Sequence, residues 1–364
     1  MSVLDNLNNL EINIINAKQI LSDNLNLKGV EVSVYDSLTY LAENVSNISQ
    51  EGGSGGDGFD FSVIGYNQSV LNQLNQSIQD DIAYSKTKYD EWNQSNTSAK
   101  NKFYGDTKLV YAPNIDTSNV TTMEQMFKNC SLLSYVPQFD TSNVTNMKGM
   151  FESCSSLKEI PQLDTSKVTT LEGFVRYSSV ESIPQLDTSK VTTLKYAFSS
   201  TKIKSFPSLN VENVESMYNT FYSNNYLEYI GDLNSVKCTD FYGTFQYAEY
   251  LKRIEGLSFK SITSYNKTMF GYGSQTKLRY AVFKDIGTHT DITSFDFSNL
   301  RVWGIASTEI PDAKQSLIDS LITYSFDRAA NGYSTCTITL YADTKALLTE
   351  EEIAAITAKG YTIA

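Results

Sequence analysis

Four nearly identical phrases recur in this chain at steps of 23 or 24 residues: DTSNVTTMEQMF from Asp116, DTSNVTNMKGMF from Asp140, DTSKVTTLEGF from Asp164 and DTSKVTTLKYAF from Asp187. A period in that range constrains the fold before composition is considered. A unit of two dozen residues cannot bury its own apolar face and must lay it against the next copy. Aligned on phenylalanine, the beat runs through Phe127, Phe151, Phe174, Phe198, Phe221, Phe245 and Phe270, with steps of 24, 23, 24, 23, 24 and 25. Within a unit, Val120, Met123 and Phe127 stand at helical spacing, and Thr121-x-x-Glu124 and Thr169-x-x-Glu172 have the capping-box pattern, which predicts a short helix after each valine. Leu133 and Val136 predict a short strand that Pro137 ends. The expected class is an α/β solenoid of about seven units, filling 112–310. Toward its end the phrase decays, with Asn210 standing where the earlier copies have Asp.

The flanks read differently. Val3, Leu7, Leu10, Ile14, Ala17 and Leu21 form one apolar heptad seam, and after Lys28-Gly29 a second helix carries Leu38, Leu41, Val45 and Ile48. Residues 1–50 are therefore expected to be a helical hairpin that attaches or oligomerises, with Leu7, Leu10, Ile14 and Leu21 at the contact. The run EGGSGGDG, 51–58, lacks the Lys-Ser/Thr of a phosphate loop and reads as a linker. Residues 59–111 read as a helical neck and N-terminal cap, with Leu71, Leu74, Ile78 and Ile82 on one side of a helix and Trp92 near its end. Residues 311–364 predict a C-terminal αβα cap: a helix over 313–326, a strand at CTITLYA, and a last helix begun by Thr349-x-x-Glu352 and closed by Gly360.

Composition narrows the chemistry. A net charge of -12 argues against a nucleic-acid partner. Apolar runs fall far short of the ~20 residues that span a bilayer, so no membrane insertion is expected. The amino terminus shows no basic region or small-residue cleavage site, so no secretory signal is expected. With one histidine, His289, and four cysteines, no cofactor and no metal of the usual zinc type is expected. Cys130 and Cys154 occupy equivalent places in consecutive repeats, open to a disulfide or to two buried thiols, the second favoured. Asp116, Asp140, Asp164 and Asp187 would form a ladder, either binding calcium or capping turns. Identical repetition favours the caps, because acid/base catalysis needs carboxylates in different environments. No nucleophile motif is present, and no catalytic residue is assigned. Seven of the 24 tyrosines lie between 218 and 250. Of these, Tyr222, Tyr226, Tyr229, Tyr247 and Tyr250 make the candidate binding surface, since tyrosine offers rigid amphipathic contact area. Tyr218 and Tyr222 also adjoin apolar positions of the repeat, which leaves a core role open.

The stretch DTSNVTNMKGMFESCSSLKEIPQLDTSKV closely resembles the BspA-type leucine-rich repeat of bacterial surface proteins, over about 112–285 and less closely after 210. The tail LLTEEEIAAITAKGYTIA resembles the terminal unit that closes such arrays in phage and gut bacterial proteins. The front end, INAKQILSDNLNLKGVEVSVYDSLTYLAENVSNI, looks like a helical module of phage head-fibre and tail-fibre proteins. Together the resemblances imply a structural, non-enzymatic virion protein of a gut-bacterial phage, assembled in the host cytoplasm. It would be joined to capsid or tail proteins, homotrimeric by analogy with fibres, and in contact with a host cell-surface protein or glycan. A bacterial surface adhesin and a glycan-degrading fibre are the alternatives.

Overall fold

The computed structural model describes residues 80–81, 83–93, 95–206, 209–263, 267–271 and 277–364. The helical hairpin of 1–50 with Leu7, Leu10, Ile14 and Leu21, the linker 51–58 and the helix face of Leu71, Leu74, Ile78 and Ile82 lie outside the described residues. The chain divides into two compact units. In the first, residues 83–90 are helical, with Lys86 and Asp90 one turn apart at 2.9 Å. Tyr111 pairs in parallel with Tyr135.

The second unit takes in Trp92–Leu109, Ile115–Ser134 and Gln138–Ala364. Parallel bridges join Ser98 to Thr122, Thr122 to Asn146, Asn146 to Thr170, Thr170 to Thr193, Thr193 to Ser216 and Ser216 to Asp240, one above another. The neighbouring backbone keeps the same register. The N–H of Phe103 donates to Met126 O, Phe127 to Met150 O, Phe151 to Phe174 O, Val175 to Ala197 O, Phe198 to Thr220 O, Phe221 to Thr244 O and Phe245 to Met269 O. Among the described residues this ladder of rungs starts at Ser98, one rung before the boundary at 112 that the DTS phrase suggests. It also shifts one member of the phenylalanine column. Val175, not Phe174, stands in register with Phe151, and Phe174 follows Met150; all four are buried.

The turn after each valine is not the helix that Thr121-x-x-Glu124 and Thr169-x-x-Glu172 predict. Thr121 Oγ1 donates to Thr97 O at 3.1 Å, and the Glu124 N–H donates to Thr122 Oγ1 at 3.3 Å, so neither residue makes a capping box. Alternate N–H groups bond locally, Met126 to Met123 O, Lys128 to Gln125 O and Cys130 to Phe127 O. Those between them, on Gln125, Phe127 and Asn129, reach the next rung. An α-helix needs every one of these donors for itself; a chain that gives half of them to its neighbour folds as successive turns instead. Two left-handed residues per rung make that possible, Gln125 and Asn129 in one and Tyr196 and Ser200 in another.

Between the rungs the phenylalanines stack, with ring centroids 5.2 Å apart for Phe103–Phe127, 5.7 Å for Phe127–Phe151 and Phe198–Phe221, and 5.6 Å for Phe221–Phe245 and Phe245–Phe270. All four cysteines are free and buried. Cys130 Sγ donates to Phe103 O at 2.9 Å and Cys154 Sγ to Phe127 O at 3.1 Å, so each thiol serves the carbonyl of the preceding rung. Burial pushes the Cys130 thiol up to about 12.

Toward the C-terminus the rungs gain regular strands. β1 (Ser205–Phe206), β2 (Tyr229–Leu233), β3 (Arg253–Ser258) and β4 (Tyr280–Lys284) form a parallel sheet in chain order. A second parallel sheet orders β5 (Ser294–Asp296), β6 (Cys336–Thr339) and β7 (Tyr361–Ile363). It draws a strand from before residue 311. The helix at Ala313–Ile318 passes into a π-helical turn at Asp319–Thr323, and Arg253 anchors its start through Asp312 at 3.0 Å. The last helix, Glu350–Ala358, carries a reciprocal capping box between Thr349 and Glu352.

Candidate functional site

The turn of each rung sets out two columns of side chains, fixed by the carbonyls that accept from the preceding rung; all are at least partly exposed except Ser199, which is buried. In one column those carbonyls belong to Glu124, Lys148, Glu172, Lys195, Tyr218 and Tyr242; in the other, to Lys128, Glu152, Arg176, Ser199, Tyr222 and Gln246. The early rungs are covered by alternating charge, with Lys100–Glu124 at 3.0 Å and Lys128–Glu152 and Lys148–Glu172 at 2.9 Å. Beyond these pairs one column continues with Lys195, Tyr218 and Tyr242 and the other with Arg176, Ser199, Tyr222 and Gln246, so tyrosines enter both. Lys128–Glu152 is largely buried, whereas Lys100 and Lys148 remain well exposed, and surface pairs of the latter kind contribute about 1 kcal/mol or less each.

The tyrosines are not scattered. Tyr196 meets Tyr218 at 5.3 Å and 63°, Tyr218 stacks on Tyr242 at 5.1 Å and 12°, and Tyr222 meets Tyr247 at 5.4 Å and 87°. The Arg176 guanidinium lies 4.1 Å from the Tyr196 ring and 4.5 Å from the Tyr177 ring, and Nη2 donates to Tyr177 Oη at 3.0 Å. Cation–π contacts on both sides fix the two rings. Burial, followed by the nearby phenols of Tyr247, Tyr177 and Tyr242, raises the Tyr222 pKa. At Tyr218 the hydrogen bond with Tyr196 is the leading cause of a shift in the same direction. Tyr177, Tyr242 and Tyr247 remain between 40% and 48% exposed, leaving phenol surface for a partner.

Of the residues singled out from sequence, Tyr222 and Tyr247 come together in this stripe. Tyr226 and Tyr250 are exposed in the following segment, where Lys277 sits 3.5 Å from the Tyr250 ring, and neither joins a ring pair of the stripe among the described residues. Tyr229 belongs to another column: on β2 it is in register with Arg253, which stacks 3.6 Å from Tyr280. Arg176, Tyr177 and Tyr196 were not singled out. Alignment on Phe174 hides Arg176 and Tyr177, which only the hydrogen-bond register places under Ser199 and Ser200. Tyr196 stands two residues before Phe198 as Asn219 does before Phe221, so the spacing already places it.

The aspartate column lies on a different part of each rung. Asp116, Asp140, Asp164 and Asp187 accept the N–H of Ser118, Ser142, Ser166 and Ser189 at 2.9 to 3.0 Å, and Asn210 accepts that of Glu212 at 3.1 Å. A groove of about 780 Å³ runs beside Asp164, Asp187, Glu212 and Asp232. Among the described residues, no three His, Cys, Asp or Glu side chains converge to hold a metal ion. The Ser118 N–H lowers the pKa of Asp116; at Asp140, Asp164 and Asp187 the following serine hydroxyl does so first and its N–H second. That direction opposes the raised pKa of a general acid. Groups depressed in the folded state stabilise it above their unfolded pKa of about 4, and the contribution is lost as pH falls through the folded values. Thermal midpoints should therefore fall below pH 4. Changing Asp140, Asp164 and Asp187 together to Asn should flatten that fall while keeping the turns, as Asn210 does natively. An unchanged acid profile in the variant would exclude these carboxylates as its source.

No helix among the described residues is long and apolar enough to cross a membrane. A family model described as "Mycoplasma protein of unknown function, DUF285" matches three overlapping stretches, 71–182, 97–205 and 172–281, together more than half of the chain. No curated protein and no solved structure matches.

Proposed function

The chain belongs to the DUF285 family, and on that footing we propose that it is a structural fibre protein of a phage virion whose repeats form a solenoid of the BspA type that adheres to the host surface. In this reading the N-terminal helices hold it to capsid or tail proteins as a homotrimer, and the solenoid presents the tyrosine stripe outward. The observation that carries adhesion is the change of cover along one register. Lys148 and Glu172 occupy the same column as Tyr218 and Tyr242 on unchanged backbone, so the tyrosines are a property of the face and not of the fold. The lowered pKa values of Asp116, Asp140, Asp164 and Asp187 fit turn caps better than a general acid. The resemblance of the front end to fibre modules supports the virion setting.

Two measurements test the reading. Antibody raised against the full chain should label fibres on intact virions, and an absence of label on particles would refute the setting. Light scattering should give a trimer for the full chain and a smaller species for residues 59–364; equal masses would refute assembly through the amino-terminal helices.

A further inference from the structure

We propose that the tyrosine stripe binds an uncharged, extended glycan strand, with successive sugars lying against successive rungs along Tyr196, Tyr218 and Tyr242 and beside Tyr222 and Tyr247. This deepens the adhesion reading and rests on it for its setting, but the chemistry comes from the stripe itself.

Backbone strain gives the first argument. Tyr177, Tyr196 and Tyr247 hold φ of 58°, 56° and 62°. Gly149, Gly173 and Gly243 fill the column of Tyr196 in other rungs, and Gly105 begins the column of Tyr177 and Tyr247. A side chain in that conformation costs on the order of 1–2 kcal/mol relative to glycine. Three bulky tyrosines are thus kept at positions that glycine fills more easily. The left-handed turn is common to every rung, with Gln125, Asn129, Ser153, Ser200, Asn219 and Ser223 in it elsewhere, so the conformation belongs to the fold and only the choice of a large ring there bears on function.

The second argument is charge. The stripe's one guanidinium, Arg176, is already engaged by two rings, with Glu152 at 3.9 Å. Lys195, exposed in the same column as Tyr218, is the other cation on this face. Two separated cations on a chain of net charge -12 fall short of the cluster that an acidic polysaccharide requires. The third is the kind of surface exposed. Every exposed large apolar or aromatic side chain of the stripe is a tyrosine, with no exposed aliphatic side chain to seat in a protein partner's pocket. Phenol hydroxyls, Ser200, Ser223 and Gln246 offer donors and acceptors beside ring carbon, which matches a pyranose with hydroxyls at its rim and C–H groups on its faces. The rings are held by one another, so little side-chain entropy is lost on binding.

Periodicity selects an extended strand. Neighbouring rungs lie roughly 4.8 Å apart, close to the 5.1 to 5.3 Å ring separations along Tyr196, Tyr218 and Tyr242. A sugar chain linked across its rings advances by roughly one rung per residue, whereas a coiled glucan turns away from a straight column.

The test titrates the full chain by calorimetry with β-(1→4)-linked hexamers of glucose and of N-acetylglucosamine, an α-(1→4)-linked glucose hexamer and a galacturonate hexamer. Saturable binding of a β-linked neutral hexamer is expected, with no binding of the α-linked or acidic ones. The double variant Tyr218→Ala, Tyr242→Ala should weaken it by at least about tenfold, as loss of stacked aromatic anchors does. The Phe double variant keeps the rings and the fold, and should weaken it less. Failure of both neutral β-linked hexamers to bind, or equal binding by the Ala variant, overturns the proposal. Sugar binding without virion labelling would sink the fibre setting and leave the glycan class standing; labelled virions without sugar binding would do the reverse.

Discussion

Replacing Phe221 with alanine should lower the unfolding free energy by about 3–5 kcal/mol, the cost of emptying a large aromatic site in a packed core. Phe221 is fully buried. Its ring stacks between Phe198 at 5.7 Å and Phe245 at 5.6 Å and meets Phe206 at 5.1 Å edge-on. The backbone around it is fixed from both sides, since Tyr196 and Phe198 donate to Tyr218 O and Thr220 O while Phe221 donates to Thr244 O. The neighbours therefore cannot collapse into the void without breaking the ladder, so the loss should sit at the upper end of the range. Because rungs touch only adjacent rungs, the damage should be local. Urea unfolding followed by circular dichroism should show the midpoint drop, and a second transition should separate the segments on either side. Tyr226→Ala, at an exposed position, is the control and should stay within about 0.5 kcal/mol. A loss below 1 kcal/mol at Phe221 would show that the stacked rings are not a shared interior.

What the sequence could and could not disclose follows from which forces leave a local trace. The period was visible because Val120, Met123, Phe127 and Leu133 return as types at fixed intervals, and each is buried. Thr349 and Glu352 were legible as a capping box because both partners lie within one turn. Thr121 and Glu124 carry the same letters, yet Thr121 Oγ1 bonds to a carbonyl 24 residues away. No local pattern distinguishes the two cases. The register at Phe174-Val175 escaped for the same reason: both side chains are buried, and the choice between them is made by a hydrogen bond to Ala197 O. The tyrosine site was half visible. Density of tyrosine pointed to 218–250, but a surface made by stacking mixes residues from different rungs, so Tyr177 and Tyr196 joined it while Tyr229 did not.

Arg328 is the position where sequence offered no hint and a large effect is expected. Its side chain is fully buried, and among the described residues no carboxylate pairs with it. Nη1 donates to Gly287 O at 2.8 Å and His289 O at 3.0 Å, Nε donates to Ser334 O at 2.9 Å, and the guanidinium lies 5.4 Å from the Tyr333 ring. A buried cation is costly unless hydrogen bonds replace its water. Here three backbone carbonyls from two loops do so for Nε and Nη1, while Nη2 is buried with no hydrogen-bond partner among the described residues. The cation in turn satisfies carbonyls that have lost their own water. Tyr361 closes the same region, its hydroxyl lying 2.6 Å from Ile286 O and 2.7 Å from Phe326 O. Arg328→Met keeps much of the volume and removes every donor, stranding three carbonyls at about 1–3 kcal/mol each before relaxation. A net loss on the order of 3–5 kcal/mol is expected, concentrated in β5–β7. Arg328→Lys keeps the charge but not the planar fork, and a single ammonium cannot reproduce the geometry that serves both loops. It should recover only part of the loss. Amide exchange separates the effects: Thr337 and Thr362 should lose protection in the Met variant, while Phe127 and Phe151 keep theirs. If Arg328→Met proves as stable as the parent chain, the guanidinium does not hold these loops, and the closing sheet must be fixed by its apolar face alone.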